Sequence, residues 1–535
     1  MRRTTLAAAL SAAVALTAAV AMPTAEAAPH GALRPALDAP AKPYTPPLPT
    51  TAPPVTRTLS PGVTLTTYTF GRKNADDFWT VHVFLPAEPD GRISRATTEL
   101  GPKDTADRVA QALREKGFAP RVEEVRSPAY ADLAAGTLGW TVRLGGYAER
   151  PDAAAELARV KAAGFTGDTR YTAQDGTDYQ APQKVNVIRV DFSRFHGRVG
   201  TEFGPTLHGT EPATDLVARA HAVAGVNGQW FYNDAPGGFY VKDGKVLASA
   251  TQGRGAIILN DGGRSVRVDT IKAHISLQTP GGAVQEIDGV NRFPGDVWNC
   301  GGVGGDTPTE QPQHDFECTD PSELVRFTPE WGTPPTGAGA EAVLDAADRV
   351  VEVNSSRGAE VPPGGSTVQA IGDSAQWLLD HVHEGDQLGI RTRVSDGYGR
   401  PVALTPDTTI MQVGPTLVRH GKVSVNALGD GIIRFGTDQS FTYDWTNRSN
   451  PRSMMGVDDR GRLMLAVVDG RQAGYSEGLS IARTAELMRQ LGAREALNLD
   501  GGGSSVMVTA ADGVINRPSD SSGERSLGDA WVIKP

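Results

Sequence analysis

The residues with the clearest chemical potential lie near the C-terminus, where the sequence reads Asn-Leu-Asp-Gly-Gly-Gly-Ser-Ser. An aspartate offers a carboxylate, and glycines without Cβ atoms let a ligand approach the backbone. Successive peptide N–H groups of such a run can converge on an anion, with serine hydroxyls as further donors at the rim. A hairpin or bulge that needs positive φ angles would use the same glycines without a ligand. The candidate site residues of this stretch are Asp500, Gly501, Gly502, Gly503, Ser504 and Ser505.

A second aspartate stands in a similar position upstream. The apolar run 462–468 predicts a buried strand that ends at Asp469, and a shorter apolar run predicts another strand that ends at Asp500. Between them a helix is expected, with Ser480 as its N-cap and Gly492 after its end. A strand, helix and strand of these lengths favour a parallel pair of neighbouring strands. The two carboxylates would then lie about 5 Å apart at one sheet edge, close to the spacing of double-displacement glycosidases; single-displacement enzymes show roughly 6.5–9.5 Å.

The surrounding chain is rich in short strand patterns and poor in helices. Strand patterns occur at 256–259, 266–269, 342–344, 350–353, 388–394 and 431–435, and helix patterns at 213–222, 374–381 and 480–491. We therefore expect an α+β fold built around a large mixed-sheet catalytic domain.

Residues 76–179 repeat one pattern twice. Each half reads as a strand, a helix that ends at a glycine, and a second strand. Two such halves predict a small β-α-β/β-α-β sheet with both helices on one face. The flanking runs 62–70 and 185–192 could pair antiparallel if this module were inserted at a loop tip. We therefore assign residues 58–75 together with 180–535 to the large domain.

The inserted module carries the phrase Gly-Trp-Thr-Val-Arg-Leu-Gly-Gly-Tyr-Ala-Glu-Arg-Pro from residue 139 onward. This phrase and the duplicated pattern resemble the SPOR family. The resemblance implies a wall-binding module that recognises peptidoglycan glycan strands stripped of their peptides. A small α/β spacer without a ligand is the alternative.

The large domain carries a series of short phrases. They are Ala-Gly-Val-Asn-Gly at 224–228, Gly-Pro-Thr-Leu-Val at 414–418, Pro-Arg-Ser at 451–453, Val-Asp-Gly at 468–470, the stretch 498–505, Asn-Arg-Pro-Ser-Asp at 516–520 and Glu-Arg at 524–525. This ordered set resembles the phosphodiester glycosidase family. The resemblance implies hydrolysis of a sugar that is linked through its anomeric carbon to a phosphodiester. Gln229 and Trp230 stand where many relatives have a second glycine, which predicts a different pocket wall.

The residue chemistry suits that reaction. Because a phosphate monoester is a good leaving group, the site must supply a carboxylate near the anomeric carbon and cations for the departing phosphate. We expect Asp500 to be the nucleophile or base and Asp469 its partner. Asn227 would hydrogen-bond a sugar hydroxyl or acetamide, or it could simply cap a turn. The side chains expected to grip phosphate oxygens are Arg452, Arg471 and Arg525. Arg452 could instead pair with a structural aspartate.

The N-terminus has the features of an exported protein. A basic start, an apolar run and an Ala-x-Ala site predict a signal peptide over residues 1–27, and a retained membrane anchor is the alternative. The proline-rich residues 28–57 predict a disordered linker. The net charge of −10 gives no reason to expect nucleic-acid binding, and no later segment is apolar enough to span a membrane. We expect a secreted, extracellular protein that can associate with the cell wall.

The two cysteines, Cys300 and Cys318, are expected to form one disulfide, since the chain is exported. Metal binding by this pair is not expected, because no Cys-x-x-Cys motif or histidine cluster accompanies it. Asp306, Asp315 and Asp320 lie in the same region and could hold a calcium ion, although acidic loops of this kind are usually only solvated. We expect no required cofactor.

Together these expectations describe an exported hydrolase that cleaves an N-acetylglucosamine-like sugar from a phosphodiester in cell-wall or surface polymers. Its inserted module would bind peptidoglycan or another wall glycan. The alternative is a non-catalytic wall-binding protein that uses the same pocket for binding alone. A glycosidase acting on ordinary glycosidic bonds is a third possibility.

Overall fold

The computed structural model describes residues 48–87, 96–177, 180–250, 252–298, 317–433 and 439–535. Strands account for 43% of the structure and helices for 16%, which confirms the expected α+β class. The α-helices of the described residues are Lys103–Glu115, Arg150–Ala162, Ala213–Arg219, Asp373–His381 and Ile481–Gln490.

The central sheet has eight strands, and each neighbouring pair in it is antiparallel. In spatial order its strands are Thr50–Ser60, Val63–Phe70, Gln183–Val190, Leu463–Val468, Arg452–Asp458, Ala493–Asn498, Thr416–Arg419 and Lys422–Val423.

The strand Leu463–Val468 shows why its sequence is apolar throughout. Alternate side chains point to opposite faces of the sheet and enter two different hydrophobic clusters. The helix Ile481–Gln490 belongs to the cluster on one face, and the strand Arg254–Asn260 contributes to the cluster on the other. Because both faces are covered, the strand needs no polar side.

The inserted module leaves and re-enters the central sheet at one edge. Val63–Phe70 and Gln183–Val190 pair antiparallel in unbroken register, with Phe70 opposite Gln183. The predicted pairing across the insertion is therefore confirmed. Val468 pairs with Val185, so Asp469 follows its strand at this same edge.

The inserted domain is a four-stranded sheet with two helices packed on one face, as predicted. Its strands in spatial order are Pro120–Ser127, Gly136–Tyr147, Trp79–Val83 and Gly167–Tyr171. The large domain and this inserted domain belong to one compact unit, Ala39–Pro535.

The predicted pairing of the two aspartate-bearing strands is wrong. Leu463–Val468 and Ala493–Asn498 run parallel, but Arg452–Asp458 lies between them and pairs antiparallel with both. The physical reason is a local hairpin, in which Arg452–Asp458 pairs directly with Leu463–Val468. The connection through the helix therefore crosses over Arg452–Asp458 and places Ala493–Asn498 on its far side. Asp469 and Asp500 thus share an edge but stand two strand spacings apart, roughly 10 Å rather than 5 Å.

The remaining strands form further sheets around the central one. The second sheet contains Arg198–Phe203, Asp529–Lys534, Ala224–Asn227, Met507–Thr509 and Gly513–Val514. The third contains Lys245–Ala248, Tyr240–Lys242, Thr409–Gln412, Arg254–Asn260, Ser265–Gln278, Val284–Glu286 and Gly389–Asp396. The fourth contains Gly289–Val290, Leu324–Phe327, Ser366–Ala370, Gly337–Leu344 and Val350–Arg357. The two-stranded pairs are Glu211–Pro212 with Ser526–Leu527, Phe231–Tyr232 with Ala235–Pro236, Asp296–Trp298 with Glu317–Thr319, and Leu85–Pro86 with Thr97–Thr98.

Two local predictions differ from the structure. Residues 50–57, the end of the predicted disordered linker, belong to the edge strand Thr50–Ser60, because backbone pairing with Val63–Phe70 orders side chains that are mostly exposed. Residues 431–433 form a turn and bends rather than the predicted strand, whose last two residues lie outside the described part.

Several predictions concern residues outside the described ranges. These include the signal peptide, Cys300, Asp306, Asp315 and the side chain of Cys318, so the disulfide and the calcium site stay predictions. Among the described residues, none of the helices has the length and apolar character that crossing a membrane requires.

Candidate active site

Two sheets converge on Asp500. The strand Ala493–Asn498 runs toward the shared edge and is followed by Asp500, while its antiparallel neighbour Arg452–Asp458 starts there. The strand Ala224–Asn227 of the second sheet ends at the same place, because the N–H of Asp500 donates to the carbonyl of Gly228 at 3.0 Å.

Asp500 is half-buried and carries a perturbed carboxyl group. Burial raises its pKa to about 6, while hydrogen bonding from the side chain of Ser504 and from the N–H of Gly501 acts in the opposite direction. The Gly501 bond to Oδ1 is 2.8 Å long. Such a carboxylate is mostly ionised at neutral pH and is more basic than an ordinary aspartate, which suits a nucleophile or a general base.

Asn227 fixes the loop that carries Asp500. Its Nδ2 donates to the backbone carbonyl of Asp500 at 2.8 Å. Its Oδ1 accepts from the hydroxyl of Ser453 at 2.6 Å and from the N–H of Val506 at 3.2 Å. The buried amide therefore holds three parts of the chain together around the candidate nucleophile, and its predicted contact with a sugar stays a prediction.

The glycine run forms a tight turn whose N–H groups are used inside the protein. The N–H of Gly501 donates to the Asp500 carboxylate, and that of Gly502 donates to the carbonyl of Pro451. The N–H groups of the next two serines donate to the carbonyls of the first two glycines. The N–H groups of Gly501 and Gly502 are therefore not free for the expected nest, and anion binding by this stretch stays a prediction.

The glycines instead allow two arginines to approach the loop. Gly502 has a φ of +62°, and a Cβ there would lie 3.4 Å from the Nη atoms of Arg471. A Cβ on Gly503 would lie 2.1 Å from Nη2 of Arg525, which is a collision. The missing side chain of Gly503 thus leaves room for the Arg525 guanidinium, whereas the positive φ of Gly502 favours glycine there.

The two serines of the stretch are buried rather than at a rim. Ser504 supports the ionised form of Asp500. The hydroxyl of Ser505 has no hydrogen-bond partner among the described residues.

Arg471 is exposed beside this loop. Its Nε donates to Oδ1 of Asn450 at 2.9 Å, and its side chain makes no other hydrogen bond within the described residues. Its φ of +59° is uncommon for a residue with a side chain, and such conformations cluster at functional sites. Arg525, whose Nε donates to Asp520 at 2.8 Å, adds a second positive charge close to that of Arg471.

Arg452 is fully buried at the start of its strand. Its Nε donates to the carbonyl of Leu479 at 2.8 Å, and its Nη2 donates to the carbonyl of Trp445. The described residues provide it with no carboxylate partner, and Nη1 is left without a hydrogen bond. Burial and the charge of Arg471 lower its pKa to about 9. The expected alternative, a structural aspartate paired with Arg452, is not found in the described part of the chain.

The Asp469 carboxylate accepts three hydrogen bonds from protein groups. Its Oδ1 accepts from Nδ2 of Asn516 and from the N–H of Arg517, both at 3.0 Å, and its Oδ2 accepts from the hydroxyl of Tyr475 at 3.3 Å. Burial raises its pKa, and these three donors act against that rise. Since its oxygens are occupied and it stands two strands from Asp500, it is not the close partner that the sequence predicts.

Asp529 is the second carboxyl group that the structure brings close to Asp500. Burial raises the pKa of Asp529 to about 7, and the charge of Asp500 contributes to the rise. Its oxygens accept from the backbone N–H and Nε2 of Gln229, at 2.9 and 3.1 Å. Gly228 packs directly against this carboxyl group, because a Cβ there would be 1.9 Å from Oδ1 of Asp529.

Sequence reasoning missed Asp529, although a signal exists. Asp529 opens the last apolar strand of the chain, Asp529–Lys534, as a charged residue directly after a glycine. Its pairing partner in space, Ala224–Asn227, is about 300 positions away along the chain, so no local pattern links the two.

Aromatic side chains form a wall near Arg452. The rings of Trp230 and Trp445 are 6.0 Å apart, and that of Phe441 stacks on Trp445 at 5.6 Å. The guanidinium of Arg452 lies 5.1 Å from the Trp445 ring. All three rings are half-buried, so part of this aromatic wall is open to solvent.

The sequence profile of the phosphodiester glycosidase family matches residues 338–534. These residues form a domain of the phosphodiester glycosidase family. The profile of the SPOR domain matches residues 100–168, within the inserted domain. A protein from Burkholderia pseudomallei K96243, described as exported and known from a crystal structure, is 31% identical to this chain. It covers 92% of this chain and 99% of its own, with a TM-score of 0.80.

Two further solved structures are more distant. A protein of Synechocystis described as hypothetical has 15% identity and a TM-score of 0.50, covering 91% of this chain and 81% of its own. The catalytic domain of zebrafish N-acetylglucosamine-1-phosphodiester alpha-N-acetylglucosaminidase, auto-inhibited by its pro-peptide, has 12% identity and a TM-score of 0.34 over 78% of this chain and 83% of its own. A search of curated proteins found no match. The exported relative and the SPOR domain together indicate an extracellular or periplasmic location.

The SPOR domain contacts residues that surround the candidate site. It is inserted between Phe70 and Gln183, at the sheet edge described above. Nε2 of its Gln174 donates to the Glu477 carboxylate at 3.0 Å, and the N–H of Arg471 donates to the backbone carbonyl of Glu477 at 3.2 Å. Glu477 therefore contacts both the SPOR domain and the exposed Arg471.

Proposed function

We propose that this protein is an exported hydrolase that releases a sugar of the N-acetylglucosamine type from a phosphodiester in cell-wall or surface polymers. Membership of the phosphodiester glycosidase family and the SPOR domain support a hydrolase or a wall-binding protein. The local chemistry around Asp500 supports the hydrolase.

The observation that carries the proposal is the meeting of a basic carboxylate with unused arginine donors. Asp500 has a pKa near 6, and both Nη atoms of Arg471 lie beside its loop without protein partners in the described residues. A sugar phosphodiester needs a nucleophile or base at its anomeric carbon and positive charge at its phosphate. This edge of the sheet offers both.

In the reaction we propose, the Asp500 carboxylate attacks the anomeric carbon, or it removes a proton from the water that attacks. The bond between that carbon and the phosphate oxygen breaks, and its electron pair leaves with the phosphate monoester. Water supplies the hydroxyl group of the released sugar in either case. Because the phosphate monoester is a stable anion, the site does not need a strong proton donor.

The arginines would bind the leaving phosphate in different ways. Arg471 can donate two hydrogen bonds from its free Nη atoms, as a bidentate guanidinium does with phosphate. Arg525 adds charge at the glycine loop, although its Nε already pairs with Asp520. Arg452 is too deeply buried to be the main contact, and its unpaired charge raises the positive potential below the loop.

Two residues would shape the sugar side of the pocket. The half-buried rings of Trp230 and Trp445 can pack against the apolar face of a sugar ring. Trp230 belongs to the Gln229-Trp230 pair that departs from the family phrase, so its ring is where we expect the choice of sugar to be made.

The SPOR domain would hold the enzyme close to peptidoglycan or another wall glycan. A polymer captured there would present its phosphodiester linkages near the site, because the SPOR domain and Asp500 lie at one sheet edge. The SPOR domain thus raises the local concentration of a polymeric substrate.

The test is turnover of a chromogenic N-acetylglucosamine phosphodiester by the wild type and by Asp500→Asn. We expect release of the sugar by the wild type and its loss in the variant. Asp512→Asn, an exposed aspartate in the same domain, is the matched control and should keep full activity. Mass analysis of products from isolated wall polymer would then identify the natural linkage.

Three outcomes would change the proposal. Full activity of Asp500→Asn would exclude Asp500 as the reacting group. Faster release from nitrophenyl glycosides than from phosphodiesters would indicate an ordinary glycosidase. Binding of wall fragments without turnover of any phosphodiester would support the non-catalytic alternative.

A further inference from the structure

The SPOR sheet has one face free of helices, and the central part of this face is buried. Alternate residues of its strands point away from the helices, among them Thr80, His82, Thr141 and Arg143. The first three are fully inaccessible, and Arg143 is 5% exposed. A face with these polar residues would be hydrated unless another part of the protein covered it.

The cover is a segment of the glycosidase domain, residues 439–450, which we call the bridging segment. The hydroxyl of its Ser440 accepts a hydrogen bond from the N–H of Glu99 at 2.7 Å. The hydroxyl of its Tyr443 accepts a hydrogen bond from Nη2 of Arg143 at 2.7 Å. The N–H of Ser449 donates to the carbonyl of Gln174 at 2.9 Å. The SPOR domain therefore holds the bridging segment along its length.

Charges strengthen this contact. Asp444 of the bridging segment pairs with Arg170 of the SPOR domain at 3.4 Å and with its own neighbour Arg448 at 2.6 Å. The SPOR residue His82 stays neutral, because burial and the charges of Arg143 and Arg170 hold its pKa well below the usual value. Charge pairs that are removed from water depend strongly on geometry, so this network defines one docked position.

The other side of the bridging segment contacts the candidate site. Oδ1 of Asn450 accepts from Nε of Arg471 at 2.9 Å. The carbonyl of Trp445 accepts from Arg452, and its ring contacts Trp230. Residues Thr442–Asn447 form a π-helical turn, a rare conformation that is frequent at functional sites.

We propose that the SPOR domain is a structural part of the glycosidase site, because it holds the bridging segment and thereby positions Arg471 and Trp445. This inference rests on the proposed phosphate-binding role of Arg471. Tyr443 is the positioning residue that links the two domains, and it touches no substrate itself. A glycan that binds the SPOR domain must use a surface other than the covered face.

The test is a double-mutant cycle between Tyr443→Phe and Arg471→Gln, with the affinity for inorganic phosphate as the readout. Tyr443→Phe removes only the hydroxyl that bonds Arg143 and Asp175, at 2.7 and 3.4 Å, and keeps the ring in place. We expect it to weaken phosphate binding about threefold to tenfold in the wild-type background, which is less than the direct loss of a hydrogen bond to a charged group, because Tyr443 acts on Arg471 only through the bridging segment. In the Arg471→Gln background the same change should have almost no effect, since the positioned group is already gone.

Tyr147→Phe is the matched control, because it makes the same chemical change in the SPOR domain near Glu156 and Arg159 of the second SPOR helix. It should leave phosphate binding unchanged in both backgrounds. Hydrogen exchange of residues 444–450 should become faster in Tyr443→Phe, while that of the strand Leu463–Val468 stays slow.

The possible results separate this inference from the proposed function. Equal effects of Tyr443→Phe in both backgrounds would overturn the positioning role, whatever the turnover. Phosphate binding with the expected coupling but without turnover would support the positioning role and contradict only the hydrolase. Wild type that binds no phosphate at all would contradict the arginine site and this inference together.

Discussion

Asp469 and Asp500 stand in nearly the same sequence context and have different environments. Each follows a buried apolar strand at one edge of the central sheet, and each precedes a glycine. Asp469 is enclosed by Asn516, Arg517 and Tyr475, which occupy its oxygens. Asp500 receives fewer donors, is half-exposed, and lies beside Arg471.

The difference shows what turns a strand-end aspartate into a reactive group. Three protein donors make Asp469 a fixed acceptor that ties the segment around Asn516 to the sheet. Burial raises the pKa of both aspartates, but Asp500 accepts hydrogen bonds from fewer protein donors and is partly exposed. The two aspartates share a preceding strand and a following glycine, so these features cannot account for the difference between them. The side chains and backbone groups that surround each carboxylate account for it.

The largest effect is expected from Asp500→Asn. Removal of a nucleophile or base from a glycosidase site should lower kcat on the phosphodiester probe by about 10⁴-fold, comparable to the loss of a catalytic aspartate elsewhere. The thermal midpoint should stay equal to the wild type or rise, because the amide needs no buried charge. A variant that loses both activity and its melting transition would show that Asp500, like Asp469, is structural.

Asp469→Ala should have the opposite pattern. Two buried N–H donors, from Asn516 and Arg517, would lose their acceptor, which should lower the free energy of unfolding by about 2–4 kcal/mol. Urea unfolding followed by tryptophan fluorescence measures this. The folded variant should keep kcat within severalfold of the wild type, and a loss as large as that of Asp500→Asn would contradict the comparison.

Arg471→Gln should affect substrate binding more than folding. Loss of the two free Nη donors should raise KM for the phosphodiester and weaken inhibition by inorganic phosphate about 10- to 100-fold. Arg517→Gln is the control, since Arg517 is exposed nearby and stacks on Tyr475 at 5.1 Å. Equal losses in the two variants would indicate general charge attraction instead of a specific contact.

The pH profile tests the ionised state of Asp500. As a nucleophile or base it must be deprotonated, so kcat/KM should fall as the pH drops through about 6, by about tenfold per unit well below that value. Above about 7 the carboxylate is fully ionised and this limb should be flat. A limb centred near 4 would mean that Asp500 has an ordinary pKa and would contradict the effect of its burial.

The smallest and most gradual effect is expected for the stability of Asp529→Asn. In the unfolded chain this carboxyl titrates near roughly 3.9, and in the folded chain near 7, so folding takes up a proton between these values. Wild-type stability should therefore fall as the pH rises from about 4 to about 7, and Asp529→Asn should lack that part of the loss. Parallel unfolding curves of the two proteins between pH 4 and 8 would contradict the raised pKa.

Much of the architecture could be predicted from local patterns. The two β-α-β halves, the strand pairing across the insertion and the buried strand Leu463–Val468 follow from periodicity that each segment carries by itself. The phrase around Asp500 likewise marks a group at the end of a strand. Strand neighbours could not be predicted in the same way, because Arg452–Asp458 fits between its partners without changing either apolar pattern.

The sequence by itself determined which segments are strands, where the second domain is inserted and which acidic groups stand at strand ends, since these depend on side-chain period and turn chemistry. Only the tertiary structure decided that Asp529 rather than Asp469 lies near Asp500, that Gly503 leaves room for Arg525, and that residues 439–450 cover part of the SPOR sheet. The physical reason is distance along the chain. Burial, hydrogen-bond satisfaction and charge at this site come from segments up to about 300 residues apart, and no local pattern records which of them meet.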